Sequence, residues 1–248
     1  MNPSRPDSEA LPAAGARWRA VFLDADDTLL DYPASERAAL LSALQEQGVA
    51  GDPEAMLERY RRHNADVWRA FERGDITQID LRTERFRRLA RDLGTTALDI
   101  PAISERYLDF LSEGAHLLPG ADDLVERLAR RLPLVIVTNG IARVQRARFA
   151  RIPFMRHMRH IVISEEVGVA KPDPRIFRPA LDALALDARE VLFIGDSTTS
   201  DMPAAHAAGM DFCWYNPDGR PVPAGFRPHA DVRTLTDIAR IVLEGMSA

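Results

Sequence analysis

Three short apolar runs, at residues 134–137, 160–163 and 191–194, constrain the fold more than any other feature of this sequence. They are rich in Val, Ile and Leu and lack the apolar–polar alternation that marks a strand with one face in water. We therefore expect strands that are buried on both faces, as in a parallel sheet. Two further runs, at residues 20–23 and 211–215, are expected to extend this sheet, the second with the weaker pattern.

Helical patterns lie between these runs. Amphipathic segments occur at residues 122–131, 141–152, 174–186 and 235–244. Strands that alternate with helices predict an α/β domain whose crossover connections are right-handed.

The stretch between the first two runs breaks this alternation and contains no convincing strand. It is expected to form four amphipathic helices, the third of which has Thr77 as its N-cap and ends at Gly94. The sequence thus predicts a flexible tail at residues 1–18, an α/β core at 19–33 and 116–248, and an inserted all-helical cap at 34–115.

Composition narrows the range of functions. The 248-residue chain has a formal charge of −5, so its overall charge does not favour a nucleic-acid polymer as partner. No apolar run reaches the roughly 18 to 20 residues of a membrane-spanning helix, and the first 18 residues lack the apolar core of a signal peptide. With one cysteine, Cys213, an internal disulfide is excluded. We expect a cytoplasmic protein, a monomer or weak dimer, whose partner is a small molecule.

Polar residues follow four of the five runs, at the points where the expected strands end. In an open parallel sheet, ligands bind outside these carboxyl ends. The residues that would meet there are Asp24, Asp26, Thr138, Asn139, Gly140, Lys171, Asp196 and Asp201. Four such groups at one edge indicate a functional site rather than four solvated loops.

Lys171 is the single lysine among 32 basic residues, and the other 31 are arginines. A guanidinium serves most surface and ion-pair tasks, whereas a narrow polar site favours the compact ammonium. We interpret the position of this lysine, at the edge where the carboxylates meet, as functional.

Several carboxylates at one site repel one another unless a cation neutralises them. A hard divalent ion with oxygen ligands, most simply Mg²⁺, would do so. The carboxylates of Asp24 and Asp196 and the backbone carbonyl of Asp26 would hold it. Asp201 would support this metal site or orient Lys171.

Phosphoryl transfer is the chemistry that such a set of groups supports. Asp24 would attack phosphorus to give an aspartyl-phosphate, and Asp26 would protonate the leaving group and later activate water. Thr138 and the backbone at Asn139 and Gly140 would offer donors to the phosphate.

The order and spacing of these residues resemble the four motifs of the haloacid dehalogenase (HAD) superfamily. The matching segments are Asp24-x-Asp26-x-Thr28, Thr138, Lys171 and Gly195-Asp196-x-x-x-Ser200-Asp201. The resemblance covers nearly all of the chain after residue 18. It implies a Rossmann-like core, a Mg²⁺-dependent aspartyl-phosphate mechanism and a mobile helical cap over the site.

Longer strings resemble the bacterial pyrimidine-type 5′-nucleotidases of this superfamily. They occupy residues 22–28, 163–173 and 213–217, and Trp68 of the insert is similar too. This implies hydrolysis of nucleoside 5′-monophosphates, pyrimidine or non-canonical, with Trp68 as a candidate for stacking on the base. At residues 202–204 the sequence Met-Pro-Ala departs from the usual Ile and paired glycines, next to the expected metal site.

Other functions of the same fold are also compatible with these residues. They include a phosphatase for phosphoglycolate or a sugar phosphate, a phosphomutase, a haloacid dehalogenase and a non-catalytic binding module. A dehalogenase would have no use for Asp26, Asp196 and Asp201, and a binding module would not need Asp24. Asp27 is left out of the site because strand alternation would turn it away from Asp24 and Asp26.

Overall fold

The computed structural model describes residues 17–245, and a six-stranded sheet forms their centre. The strands are β1 (Ala20–Leu23), β2 (Leu134–Thr138), β3 (Met158–Ile163), β4 (Val191–Gly195), β5 (Asp211–Tyr215) and β6 (Ala230–Val232). They are all parallel, in the order β3-β2-β1-β4-β5-β6, and Phe22 of β1 lies between Val135 and Phe193 in the register. The order reverses between β1 and β4, as in a Rossmann fold, which confirms the predicted fold class.

Helices flank this sheet and form the insert between β1 and β2. In chain order they are α1 (Tyr32–Glu46), α2 (Pro53–Glu72), α3 (Gln78–Leu93), α4 (Ile100–Glu113), α5 (Ala121–Ala129), α6 (Ala142–Phe149), α7 (Ser164–Val167), α8 (Arg178–Leu184), α9 (Asp201–Ala208) and α10 (Leu235–Gly245). Within residues 17–245, none of them is both long and apolar enough to cross a membrane.

Both faces of the sheet are covered, which explains why its strands lack alternation. In β1, Val21 and Leu23 join an apolar cluster that includes residues of α5 and α10, whereas Ala20 and Phe22 join a second cluster with α8 and α9. All four residues are fully buried. A parallel sheet between two helical layers therefore requires apolar residues at successive strand positions.

The inserted helices α1–α4 have an apolar cluster of their own, to which each of them contributes buried residues. Ile141, just before α6, and Val144 within it also join this cluster. The insert consists of these four helices, so it is all-helical, as predicted. Helix α6 belongs to the core and packs against the insert.

Short polar signals define where the inserted helices begin. Helices α1, α2 and α4 have the N-caps Asp31, Asp52 and Asp99, each with a proline in the first two helical positions, where no N–H is needed. Helix α3 begins with a capping box. The amide of Asp80 donates to the Thr77 hydroxyl at 3.2 Å, and the amide of Thr77 donates to the Asp80 carboxylate at 3.1 Å. The predicted N-cap is thus confirmed.

Three segments differ from the sequence predictions. Trp18, assigned to the tail, is buried and donates a hydrogen bond to Asp211 at 2.8 Å, so that assignment is wrong; residues 1–16 lie outside the described residues. Strand β6 was not predicted from the sequence, because three residues are too few to show an apolar pattern. The helix predicted at 174–186 is divided into a 3₁₀ turn, Pro174–Phe177, and α8.

Thr77→Ala removes one half of the capping box and should lower the free energy of unfolding by about 1 kcal/mol. Urea unfolding followed by circular dichroism measures this loss. Thr96→Ala, at an exposed position beyond the end of α3, is the control and should change the free energy by less than about 0.5 kcal/mol. Equal losses in both variants would contradict the role of the capping box.

Candidate active site

The carboxyl ends of β1, β2 and β4 meet at a cavity of about 400 Å³. Its core wall is formed by the predicted residues Asp24, Asp26, Thr138, Asn139, Gly140, Lys171, Asp196 and Asp201. Strands β1 and β4 are neighbours at the reversal of strand order, so Asp24 and Asp196, which directly follow them, come close together. The structure therefore brings together all the core residues that were predicted for the site.

Three carboxylates are clustered in this cavity. One oxygen from each of Asp24, Asp196 and Asp201 lies within 4.8 Å of the other two. Asp201 is the first residue of α9, which tolerates Pro203 in its first turn despite the unusual sequence there. A Cβ at Gly195 would lie 2.3 Å from Asp201 Oδ2, so a glycine is required at that position.

The ammonium of Lys171 lies among these carboxylates and is 2% exposed. Its Nζ donates to Asp24 Oδ1, pairs with Asp201 Oδ1 at 2.8 Å and donates to the Val137 carbonyl at 2.9 Å. Burial opposes the charged form, but Asp201 and Asp24 outweigh it and raise the pKa of Lys171 above its usual value. Three acceptors around one nitrogen suit an ammonium and not a planar guanidinium.

One ammonium does not balance three carboxylates. Burial raises the pKa of Asp24 well above its ordinary value, against the opposing effect of Lys171, and burial together with Asp201 does the same to Asp196. Apart from its ion pair with Lys171, the buried Oδ1 of Asp201 has no hydrogen bond. A hard divalent cation fits this set of oxygen donors, since it would supply the missing positive charge.

The loop after β2 faces the cavity and is also hydrogen-bonded to the backbone of Lys171. The side chain of Asn139 donates to the Lys171 carbonyl and accepts from the Lys171 amide, both at 2.8 Å. The amide of Gly140 donates to Thr138 Oγ1 at 3.2 Å. Asn139 therefore positions the lysine, a task that the sequence analysis did not assign to it.

Asp26 lines the cavity, but its carboxylate faces α6 and not the group of three acids. Gln145 Nε2 donates to Asp26 Oδ2 at 2.8 Å, and Arg148 Nη1 donates to Asp26 Oδ1 at 2.6 Å. Neither donor is among the residues predicted from the sequence. The sequence feature that could have indicated them is their spacing: two polar residues three positions apart in a helix lie on the same face.

The exclusion of Asp27 from the site is wrong. This residue lines the same cavity as Asp24 and Asp26. The chain leaves the extended conformation after β1, and Asp27 has a φ of 60°, so strand alternation no longer applies to it. Burial, together with the carboxylates of Asp26 and Asp24, raises the pKa of Asp27 to about 7. Asp27 is thus part of the acidic wall of the cavity.

Helix α2 closes the cavity from the side of the insert. Ala65, Trp68, Arg69 and Glu72 line it, at a spacing that places them on one helix face, and Tyr32 at the start of α1 lies on the same wall. The structure thus places Trp68, the residue predicted from the sequence, at the cavity. The other four were missed, although the helical spacing around Trp68 would have identified three of them.

A comparison with known families agrees with this geometry. Residues 18–209 match the family model of the haloacid dehalogenase-like hydrolases. The chain belongs to this family, and the resemblance seen in its motifs is confirmed.

Three relatives are similar over most of their length. The HAD-hydrolase YfnB of Bacillus subtilis is 34% identical over 227 residues, 91% of this chain and 96% of YfnB. The pyrimidine 5′-nucleotidase PynA of Streptococcus pneumoniae is 34% identical, over 81% of this chain and 84% of PynA. The pyrimidine 5′-nucleotidase YjjG of Escherichia coli is 30% identical, over 91% of this chain and 98% of YjjG. The crystal structure of YfnB bound to magnesium has a TM-score of 0.85 at 33% identity, over 91% of this chain and 99% of that one.

Lys171→Met should lower the free energy of unfolding by about 3–5 kcal/mol at neutral pH in chelator, because it leaves buried carboxylates without their partner. Urea unfolding measures the loss. Adding Asp24→Asn should restore part of the stability, since it removes one uncompensated charge. Arg175→Met, which breaks an exposed ion pair with Asp173, is the control and should leave the urea midpoint nearly unchanged. Full stability of Lys171→Met would show that the ammonium does not balance the cluster.

Proposed function

We propose that this protein is a Mg²⁺-dependent phosphomonoester hydrolase that acts on nucleoside 5′-monophosphates, pyrimidine or non-canonical. The observation that carries the proposal is the buried cluster of Asp24, Asp196 and Asp201 around Lys171 at the carboxyl edge of the sheet. Membership of a hydrolase family, and similarity to the nucleotidases PynA and YjjG, support it.

The acidic cluster is the proposed metal site. The carboxylates of Asp24 and Asp196 and the carbonyl of Asp26 would hold Mg²⁺, with Asp201 in support. Bound Mg²⁺ lowers the repulsion between a phosphate dianion and a carboxylate nucleophile. The similarity to a protein crystallised with magnesium supports this assignment.

The side chains of the cavity divide the reaction between them. Asp24 would attack phosphorus, so that a new O–P bond forms while the bond to the leaving oxygen breaks with its electron pair. Asp26 would give its proton to that oxygen, and the alcohol departs. Asp26 would then take a proton from water, whose oxygen attacks phosphorus and releases Asp24. Thr138 would donate its hydroxyl to a phosphate oxygen in both steps, while the positive charge of Lys171 would offset the negative charge that gathers at the site.

The cap side of the cavity favours a monophosphate with an uncharged body. Trp68 and Tyr32 offer aromatic surface, and the carboxylate of Glu72 on the same wall would repel a second phosphate. Residues 34–115 carry 15 acidic residues and 12 arginines, which also disfavours polyanions. A second cavity of about 400 Å³ lies at the end of α2 and shares Glu72 and Lys171 with the first.

The proposed activity predicts phosphate release from pyrimidine nucleoside 5′-monophosphates that stops with EDTA and returns with Mg²⁺. A colorimetric phosphate assay measures it, on a panel that also contains phosphoglycolate and sugar phosphates. Preference for one of those two would contradict the proposed substrate, and transfer of the phosphate to a sugar would indicate a mutase. Activity that persists in EDTA would contradict the metal site.

Asp24→Asn should lower kcat by roughly 10⁴-fold or more, because the amide is a poor nucleophile, and should leave the circular dichroism spectrum unchanged. Steady-state kinetics on the best substrate of the panel measures the loss. Asp218→Asn, an exposed acid in the loop after β5, is the control and should keep kcat. A normal kcat in Asp24→Asn would rule out this aspartate as the nucleophile.

Trp68→Ala should raise KM for a nucleotide by roughly tenfold, because base stacking is lost, and should change KM for a small aliphatic phosphate ester much less. Paired KM measurements on the two substrates test this. Phe110→Ala removes an aromatic side chain of α4 that lies outside the cavity and should alter neither KM. Equal effects of Trp68→Ala on both substrates would dismiss stacking.

A further inference from the structure

Both oxygens of the Asp26 carboxylate are bound by donors from α6. Gln145 Nε2 lies 2.8 Å from Oδ2, and Arg148 Nη1 lies 2.6 Å from Oδ1. Gln145 and Arg148 are each 1% exposed, and Arg148 Nη1 also donates to Gln145 Oε1 at 3.0 Å. The three side chains form a closed network in which each holds the other two.

The same two donors reach beyond Asp26. Gln145 Nε2 also donates to Thr138 Oγ1 at 3.0 Å, and Arg148 Nε donates to the carbonyl of Gly114 at 2.8 Å. Gly114 is the C-cap of α4, where the insert returns to the core. Helix α6 therefore connects Asp26 both to the end of β2 and to the link between insert and core.

The backbone at Gly140 leaves room for this network. A Cβ at that position would lie 2.5 Å from Cγ and Nε2 of Gln145. Any side chain at residue 140 would therefore displace the glutamine from Asp26. The glycine thus serves the network through its missing side chain, while its amide donates to Thr138 Oγ1 at 3.2 Å.

Helix α6 is also a core element on which the insert rests. Ile141 and Val144 belong to the apolar cluster of the insert, and Arg143 pairs with two acidic residues of α4, Glu105 at 2.8 Å and Asp109 at 2.9 Å. A shift of the insert relative to the sheet would therefore move α6 through these contacts. Because Gln145 and Arg148 lie on α6, their positions relative to Asp26 would change as well.

We propose that Gln145 and Arg148 are positioning residues for Asp26, which fix its carboxylate for proton transfer and link its position to that of the insert. The proposal rests on the proposed function, in which Asp26 gives a proton to the leaving oxygen and later takes one from water. A carboxylate without these donors can rotate, and a displacement of about 1 Å at a reacting group costs roughly 10²-fold in rate. Gln145 and Arg148 act through Asp26 and not on the phosphate.

The two half-reactions depend on Asp26 unequally when the leaving group needs no proton. The alkoxide of a nucleoside must be protonated as it leaves, whereas p-nitrophenolate departs as the anion. With p-nitrophenyl phosphate, phosphorylation of Asp24 should stay fast, while hydrolysis of the aspartyl-phosphate, which needs Asp26 as base, should slow. The signature is a burst of p-nitrophenolate of about one equivalent per site, followed by slow turnover.

The test uses Gln145→Met in the full chain, which keeps the length of the side chain and removes the donor to Asp26. We expect kcat for a nucleoside 5′-monophosphate to fall by roughly 10- to 100-fold, with KM and the inhibition constant of inorganic phosphate within about twofold of the parent values. Stopped-flow absorbance with p-nitrophenyl phosphate should show a burst that the parent lacks.

A second variant and a matched control accompany this measurement. Arg148→Lys keeps the charge but cannot span Asp26 and Gly114, and it should lower kcat in the same direction. Arg146→Ala removes a half-exposed arginine of the same helix, which pairs with Glu166, and should leave every kinetic constant unchanged. Thermal unfolding of each variant shows whether it is folded at the assay temperature.

An unchanged or higher kcat in both Gln145→Met and Arg148→Lys would overturn the proposal. So would a raised inhibition constant for phosphate without a burst, because that result assigns Gln145 to phosphate binding through Thr138. A parent enzyme that hydrolyses p-nitrophenyl phosphate but no nucleotide would contradict the proposed substrate alone, and the burst would still decide the role of Gln145. A normal kcat in Asp26→Asn would remove the role of Asp26 and this proposal together.

Discussion

The buried ammonium of Lys171 is the contact on which the arrangement of the cavity depends. It joins three segments that the sheet brings to one edge: Asp24 after β1, the Val137 carbonyl in β2 and Asp201 at the start of α9. Carboxylates buried side by side repel one another, and the lysine offsets part of that repulsion while leaving net negative charge. This remaining charge explains why the oxygen donors of the same cavity fit a divalent cation.

The sheet and the strand-end residues could be predicted because both follow from local sequence. A strand covered on both faces must be apolar throughout, so β1, β2 and β4 show in the composition of a few consecutive residues. The ligand site of such a sheet lies where strands end, so Asp24, Thr138 and Asp196 follow from the strand assignments alone. The helical insert was predicted for the same reason, since its glycine, proline and N-cap signals are local.

The rest of the site depends on contacts between distant segments and on backbone that leaves the regular strand. Gln145 and Arg148 lie 119 and 122 positions from Asp26 in the chain, and nothing in the spacing of motifs joins them. Asp27 was misplaced because a φ of 60° interrupts the alternation on which the prediction rested. On the insert, the cavity-facing side of α2 could be found only once the position of the helix over the sheet was known.

The hydrogen bond from Arg148 to Gly114 ends on a main-chain carbonyl, and that choice of acceptor has a consequence for redesign. The acceptor is lost when the chain takes a different path through the junction, and a side chain at residue 114 would also strain that path, because its Cβ would lie 3.0 Å from Cβ and Oγ of the buried Ser35. A chimera that joins a foreign helical insert to this sheet would therefore have to preserve the path of the main chain at this junction, together with a residue that leaves room for Ser35. The exchange of such inserts between related proteins is thus limited by the geometry of the junction, whichever substrate the insert fits.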